Sequence, residues 1–209
     1  MPDQSLIMGY ELGVGGTAVG IRSVSGVVIA ADKRLAYGYT ILSKAAKKVY
    51  VITPTVGIGF AGVIGDMQAL VRRLDSAARL REIESGSRLS VRAVAKLTSV
   101  MLYEARMTPY ITQSIVGGCD QTGCHLFSMD ALGSLLEEDF VSVGSGAAVS
   151  IGLLEENYRK DLSLEQMAEL SKKSLGAAAS RDAVSGDGLD MLRIDSTGVK
   201  EETIAFRSV

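Results

Sequence analysis

The sequence is poor in the residues that metal sites and disulfide frameworks require, and it has no long apolar run. Its 209 residues contain one histidine, His125, and two cysteines, Cys119 and Cys124. No apolar stretch approaches the roughly 18 residues that cross a bilayer, which argues against a membrane protein. Residues 1–16 lack a basic start and a continuous apolar core, so we do not expect them to act as a secretory signal. We therefore expect a cytoplasmic protein.

The charge is nearly balanced, which excludes several classes of partner. The formal net charge is −2, and lysine and arginine are nowhere concentrated without interspersed acids. Nucleic acids and anionic membranes are therefore not expected as partners. With 47% apolar and 22% charged residues, the chain has the composition of one globular domain with a sizeable core.

The two cysteines and the histidine lie close together, in Gly-Gly-Cys-Asp-Gln-Thr-Gly-Cys-His (117–125). A structural zinc site needs four ligands, and this segment supplies only three. We interpret Cys119 and Cys124 as reduced thiols beside a hairpin turn, and we expect neither a metal nor an organic cofactor.

The hydrophobic pattern predicts blocks of strands and helices in alternation. Apolar β-rich runs joined by turn residues predict hairpins, and apolar residues at spacings of three and four predict helices. The predicted strands are 17–22, 27–31, 49–52, 56–61, 112–117, 125–129, 134–136, 140–143, 189–194 and 199–206, and the helices begin near 63, 90, 147 and 163. This order predicts an α+β fold with a helix pair outside each of two packed, mainly antiparallel sheets.

Gly57-Ile58-Gly59-Phe60-Ala61-Gly62 matches the G-x-G-x-x-G pattern, and a predicted helix follows it. A nucleotide-binding domain would use these glycines to bring the backbone close to a phosphate. The surrounding hairpins offer no parallel βαβ unit, so close backbone packing is the competing interpretation. In a hydrolase, the N–H of Gly62 could face a substrate oxyanion.

The segment that ends in Gly15-Gly16-Thr17 suggests a nucleophile. Cleavage after Gly16 would give Thr17 a free α-amine, a weak base that can activate the hydroxyl of the same residue. A nearby Lys48 would lower the cost of forming the alkoxide, and Asp32 would keep that lysine charged. A set of hydroxyl and carboxylate groups could surround the amine: Ser145, Asp182 and Ser185.

These motifs resemble, in this order, the β-type subunits of the 20S proteasome, most closely the archaeal ones. The resemblance covers nearly the whole chain. It rests on Thr-Ala-Val-Gly-Ile (17–21), Val-Val-Ile-Ala-Ala-Asp-Lys-Arg (27–34), Lys-Lys-Val-Tyr (47–50), Phe-Ala-Gly-Val-Ile-Gly-Asp (60–66), Met-Thr-Pro-Tyr (107–110), Gly-Ser-Gly (144–146) and Arg-Asp-Ala-Val-Ser-Gly-Asp-Gly (181–188).

The resemblance implies a fold, an activity and a set of partners. The fold is the four-layer αββα sandwich of N-terminal-nucleophile hydrolases. The activity is threonine-type endopeptidase cleavage of unfolded proteins with broad specificity, inside an enclosed chamber. The implied partners are proteasome α subunits, other β subunits in stacked heptameric rings, a proteasome-activating ATPase at the ends of the particle, and protein or peptide substrates.

Carried over residue by residue, the resemblance implies that Asp32 and Lys48 are the acid and the lysine beside the nucleophile. It implies that the backbone N–H of Gly62 binds the oxyanion. It gives the terminal amine a set of neighbours, namely Ser145, Asp182 and Ser185. It also implies a leader, residues 1–16, that the chain itself cuts off between Gly16 and Thr17, leaving residues 17–209 as one domain. The apolar substrate pocket is expected at Leu35, Ala36, Ala46, Tyr50, Phe60 and Ile64.

The nucleophile position departs from the family pattern. An ungapped alignment of Val19-Gly20 with Asp32 and Lys48 puts Gly16 at that position and Thr17 one place late. Because side chains alternate along a strand, Thr17 would then point away from Lys48. Two outcomes remain open. A bulged or slipped first strand would bring Thr17 to the site, whereas an unshifted strand would make the chain a non-catalytic ring member beside an active β subunit.

Overall fold

The computed structural model describes residues 15–38 and 40–206. The predicted leader therefore lies outside the described residues, apart from Gly15 and Gly16. The described part contains twelve strands: β1 (Thr17–Ser23), β2 (Gly26–Asp32), β3 (Leu35–Tyr37), β4 (Thr40–Ser43), β5 (Val49–Thr53), β6 (Val56–Gly62), β7 (Thr112–Asp120), β8 (Gly123–Met129), β9 (Leu136–Glu137), β10 (Phe140–Gly144), β11 (Leu189–Asp195) and β12 (Gly198–Ile204). Its four helices are α1 (Ile64–Ser85), α2 (Val91–Glu104), α3 (Ala147–Asn157) and α4 (Leu164–Arg181).

The strands form two five-stranded sheets and one small hairpin. The first sheet has the order β10-β1-β2-β11-β12, and the second has the order β5-β6-β7-β8-β9. Every pairing in them is antiparallel. The predicted α+β class with antiparallel sheets is confirmed.

Three apolar clusters hold the elements together. One joins α1 and α2 to the second sheet and includes Phe60 and Leu70. Another lies between the sheets, where Ile29 of β2 packs with Ile115 of β7. The third joins α3 and α4 to the first sheet around Met191. β2 and β6 therefore have apolar clusters on both of their faces, which explains why these two strands are buried along their whole length.

The helix ends follow the local signals in the sequence. Gly86 adopts a left-handed conformation (φ 66°) and ends α1. Ser90 caps α2 by accepting a hydrogen bond from the N–H of Ala93, and Ser163 with Gln166 forms a capping box on α4. No described helix is long and apolar enough to cross a membrane.

The structure corrects the interpretation of the cysteines. Cys119 and Cys124 face each other across the β7–β8 ladder, with Cα atoms 4.0 Å apart, and their sulfurs form a disulfide. The antiparallel register brings the two thiols into bonding range, which the sequence spacing alone did not reveal. Because both sulfurs are in this bond, neither is a free thiolate for a metal.

The glycines of the G-x-G-x-x-G pattern lie inside β6, between β5 and β7, and not in a strand-to-helix loop. A Cβ at Gly57 would lie 2.5 Å from Leu192 Cδ1, and one at Gly59 would lie 2.6 Å from Ile29 Cγ2. Both contacts are with the other sheet, so these glycines allow the two sheets to approach. The nucleotide-binding alternative is therefore wrong, because a buried central strand cannot cradle a phosphate.

The structure contains a short hairpin that the sequence pattern did not predict. No strand is predicted between residues 31 and 49, but β3 and β4 pair there as a separate two-stranded sheet. Strands of three and four residues are too short for an alternating pattern to be recognised.

Candidate functional site

Asp32 and Lys48 form a buried ion pair between the two sheets. Lys48 Nζ lies 2.6 Å from Asp32 Oδ1, and the two side chains are only 1% and 0% exposed. The same carboxylate oxygen accepts the backbone N–H of Thr17 at 2.8 Å. Asp32 Oδ2 accepts the backbone N–H groups of Arg34 and Gly186, at 2.9 and 3.0 Å. With four donors on its two oxygens, the carboxylate is well compensated for its burial.

Gly16 is the residue that faces this ion pair. A Cβ built at Gly16 would lie 2.2 Å from Lys48 Nζ and 2.7 Å from Asp32 Oδ1. The strand register is the unshifted one, because Thr17 pairs with Gly144 and Ala18 with Ala31, and no irregularity interrupts the β1–β2 ladder. The slipped or bulged first strand is therefore not observed in this structure.

The Thr17 hydroxyl has other neighbours. Its oxygen lies 2.7 Å from Ser185 Oγ and accepts the backbone N–H of Gly146 at 3.0 Å. Ser185 donates its own proton to Asp182 Oδ2 at 2.6 Å, so the Thr17 hydroxyl must donate to Ser185. The residue has no exposed surface.

The three predicted neighbours of the amine come together as expected, although around a different group. Ser145 and Ser185 both donate to Asp182 Oδ2, at 2.5 and 2.6 Å. The network reaches the Thr17 side chain, whereas the backbone nitrogen of Thr17 is an amide bonded to Asp32. Ser145 also donates its backbone N–H to the Gly16 carbonyl at 3.0 Å.

Gly62 already donates its backbone N–H within the chain. The acceptor is the carbonyl oxygen of Gly15, at 3.3 Å, and the two residues form an isolated antiparallel bridge. Gly62 has a φ of 134°, and a Cβ there would lie 2.3 Å from the Ile111 carbonyl oxygen, so only glycine fits.

Arg34 also belongs to this site, although it was not among the predicted site residues. Its guanidinium binds Asp187 and the carbonyl of Ala183, in the loop that carries Asp182 and Ser185. The sequence offers no signal for this contact, because 153 positions separate Arg34 from Asp187. Gly146 was also missed as a donor to Thr17, although it belongs to the Gly-Ser-Gly motif.

The six predicted pocket residues are only partly brought together. Tyr50 and Phe60 contact edge to face, with ring centroids 6.2 Å apart, and Ile64 packs against the same cluster. Ala46 is linked to Lys33 by a backbone hydrogen bond of 3.0 Å. Leu35 and Ala36 lie on β3. A substrate pocket formed by all six stays a prediction.

The family profile described as "Proteasome: Proteasome subunit" matches residues 14–194. The chain belongs to the proteasome subunit family. It is 45% identical over 197 residues to "Proteasome subunit beta 2" of Pyrobaculum arsenaticum, covering 94% of this chain and 97% of the relative. It is 47% identical over 188 residues to "Proteasome subunit beta 2" of Thermofilum pendens, covering 90% and 92%. "Proteasome subunit beta 1" of Hyperthermus butylicus is 45% identical over 204 residues, covering 95% and 100%. The resemblance noted from the motifs is thus confirmed for a proteasome subunit of the archaeal β type.

Proposed function

We propose that this chain is a non-catalytic β-type subunit of the 20S proteasome core particle, and that it supports an active second β subunit in the same heptameric ring. The observation that supports this most is the glycine at the nucleophile position. The ion pair of Asp32 and Lys48, which would activate a hydroxyl, has Gly16 in front of it and therefore nothing to activate.

The Thr17 hydroxyl is a poor substitute in this arrangement. It donates to Ser185 and accepts from Gly146, and it is wholly buried. A peptide carbonyl would need to reach it through packed backbone, and its α-nitrogen is an amide while residue 16 remains attached. The competing hypothesis, in which the leader is cut between Gly16 and Thr17 and Thr17 attacks the substrate, would require this network to open.

The proposal extends to the leader. The Gly15 carbonyl oxygen accepts a hydrogen bond from the N–H of Gly62. The peptide bond placed where a substrate bond would be cleaved is therefore the one between residues 15 and 16. Gly16 has no hydroxyl with which to attack this bond. The chain is therefore expected not to remove its own leader, and not to be a self-activating zymogen.

The remaining parts of the proposal come from the family. The fold is the four-layer αββα sandwich, which three apolar clusters between the predicted layers support. The partners are α subunits, other β subunits, the activating ATPase and the unfolded proteins degraded in the chamber, in the cytoplasm. Relatives named "beta 1" and "beta 2" support a ring with a second β type.

The experiment is intact-mass analysis of the assembled particle after treatment with a peptide epoxyketone, which reacts with a terminal amine and an adjacent hydroxyl. This chain should keep residues 1–16 and carry no adduct, while an active β subunit in the same particle is labelled. Loss of residues 1–16 together with an adduct on Thr17 would overturn the proposal.

A pair of variants tests whether the hydroxyl is the missing group. Gly16→Thr adds a hydroxyl in front of Lys48, and Gly16→Ala adds only the Cβ. Both variants require the lysine to give way, since the Cβ would lie 2.2 Å from its Nζ, and both require the backbone at residue 16 to leave its φ of 96°. Cleavage after Gly15 and an adduct in Gly16→Thr, but not in Gly16→Ala, is the expected result.

A further inference from the structure

We propose that Arg34 is a positioning residue of this site, which acts by fixing the loop of residues 182–188. The inference deepens the proposed function, because the same loop contacts Gly15 through Val184 and Thr17 through Ser185. The role of Arg34 can nevertheless be tested separately from the proposed function, since the arrangement of the loop can be measured without any catalysis.

The guanidinium of Arg34 holds the loop at two points. Its Nε donates to Asp187 Oδ2 at 2.8 Å, and its Nη2 donates to Asp187 Oδ1 at 3.4 Å. Its Nη1 donates to the carbonyl of Ala183 at 2.9 Å. The Arg34 and Asp187 side chains are only 19% and 12% exposed, so the pair is better shielded from water than a surface ion pair.

The loop has an uncommon backbone conformation next to this support. Asp187 has a φ of 68°, in the left-handed region that, apart from glycine, mainly Asn and Asp adopt. A Cβ at the preceding Gly186 would lie 2.5 Å from Arg34 Nη2, so the guanidinium occupies the space of that missing side chain. The Arg34 side chain therefore contacts both residues, and it favours this one arrangement of the loop over others.

Through this loop, Arg34 affects both the ion pair of Asp32 and Lys48 and the hydrogen bonds of Thr17. The N–H of Gly186 is one of the two donors to Asp32 Oδ2, and Asp32 in turn holds Lys48. The neighbouring Ser185 accepts a hydrogen bond from the Thr17 hydroxyl. A displacement of the loop would therefore remove a donor from the buried carboxylate and the acceptor of the Thr17 hydroxyl in one step.

Lys44 cannot replace Arg34 in this role. Its Nζ lies 4.0 Å from Asp187 Oδ1, and its side chain is 70% exposed. A single ammonium at that distance reaches one carboxylate oxygen, whereas the planar guanidinium binds the carboxylate and a carbonyl together.

The test measures amide hydrogen exchange in the full-length chain of the Arg34→Lys variant. This variant keeps the positive charge but loses the planar guanidinium that binds Asp187 and the Ala183 carbonyl together. A second variant, Asp187→Asn, removes the ion pair and retains a residue that tolerates a positive φ. The matched control is Arg193→Lys, because Arg193 is 22% exposed and pairs with Glu202 at 3.1 Å on β11 and β12. In both loop variants we expect exchange about tenfold faster in fragments covering 182–188 and Thr17, with β11 and β12 unchanged.

Unchanged exchange in residues 182–188 would overturn the proposal. So would uniform acceleration across the chain, or the same effect in Arg193→Lys, because each would assign Arg34 to general stability. A second measurement uses the Gly16→Thr background, where adding Arg34→Lys should slow epoxyketone labelling. If Gly16→Thr is itself not labelled, the missing-hydroxyl hypothesis fails, while the exchange result still decides the role of Arg34.

Discussion

The carbonyl oxygen of Gly15 accepts a hydrogen bond from the backbone N–H of Gly62 at 3.3 Å. Gly62 is the residue that the family resemblance gives to the oxyanion of a substrate, so the chain's own backbone occupies that donor. The same contact sets the register, because the residue after Gly15 is then the one that faces Lys48. Gly15 itself lies against Val184, whose Cγ2 would be 2.5 Å from a Cβ at that position.

A side chain at position 15 should destabilise the contact between Gly15 and Gly62, and a smaller residue at position 184 should restore the lost stability. Gly15→Ala is expected to destabilise the fold by about 1 kcal/mol, because the added Cβ overpacks against Val184. Combining it with Val184→Ala should recover most of the loss that Gly15→Ala adds, since the two positions are in contact. Urea unfolding of the unchanged chain, the two single variants and the double variant measures this coupling. Strictly additive changes in the free energy of unfolding would contradict it.

Breaking the buried ion pair should be costly. Lys48→Met or Asp32→Asn is expected to lower the free energy of unfolding by about 3–5 kcal/mol, because the remaining partner is left as a buried charge without its counter-ion. The double variant should lose less than the sum of the two. Lys172→Met is the control, since Lys172 is 45% exposed and pairs with Glu169 at 3.7 Å, and it should change stability by less than about 0.5 kcal/mol. Losses equal to that control would contradict the burial of the pair.

Glu137 should stabilise the fold in a pH-dependent way. A hydrogen bond from His125 and the nearby charge of Arg92 lower the pKa of Glu137, although burial acts in the opposite direction. Arg22 of the first sheet also pairs with it, at 3.3 Å. A lowered carboxyl pKa gives stability that is present above its ordinary pKa of about 4.3 and is lost as the pH falls through the lowered value.

Glu137→Gln should therefore destabilise the fold near pH 7, by no more than about 1 kcal/mol because the side chain is partly exposed. The difference from the unchanged chain should shrink as the solution is acidified below pH 4. Thermal unfolding across this pH range measures it. Glu169→Gln, at an exposed pair, is the matched control, and a difference that grows on acidification would contradict the assignment.

The disulfide should contribute modestly. It closes a loop between residues only five positions apart, so loop-closure entropy accounts for about 2 kcal/mol at most. Reduction, or the paired change of Cys119 and Cys124 to alanine, should lower the free energy of unfolding by up to that amount and leave the chain folded. Unfolding on reduction would contradict this expectation. Quantified free thiols provide the check that reduction was complete.

The elements that the sequence predicted well are those with local causes. The helix starts predicted near residues 90 and 163 are examples, because Ser90 and Ser163 cap α2 and α4 within one helical turn and need no distant contact. The hairpin at β3 and β4 was missed because so few residues carry it. The disulfide was missed because spacing along the chain does not show which residues face each other across a ladder.

By itself, the sequence determined the fold class, the family and part of the site, namely Asp32, Lys48, Ser145, Asp182 and Ser185, whereas Arg34 and Gly146 entered it only with the structure. Its motifs also raised the question of register, since the count from Val19 and Gly20 to Lys48 puts Gly16 where a nucleophile belongs. Only the tertiary structure decided that question. A strand can slip or bulge by one residue at a cost that no motif reveals, and the unbroken β1–β2 ladder is a property of the packed sheets. The structure therefore leaves the Thr17 hydroxyl with Ser185 and brings the backbone of Gly16 to Lys48.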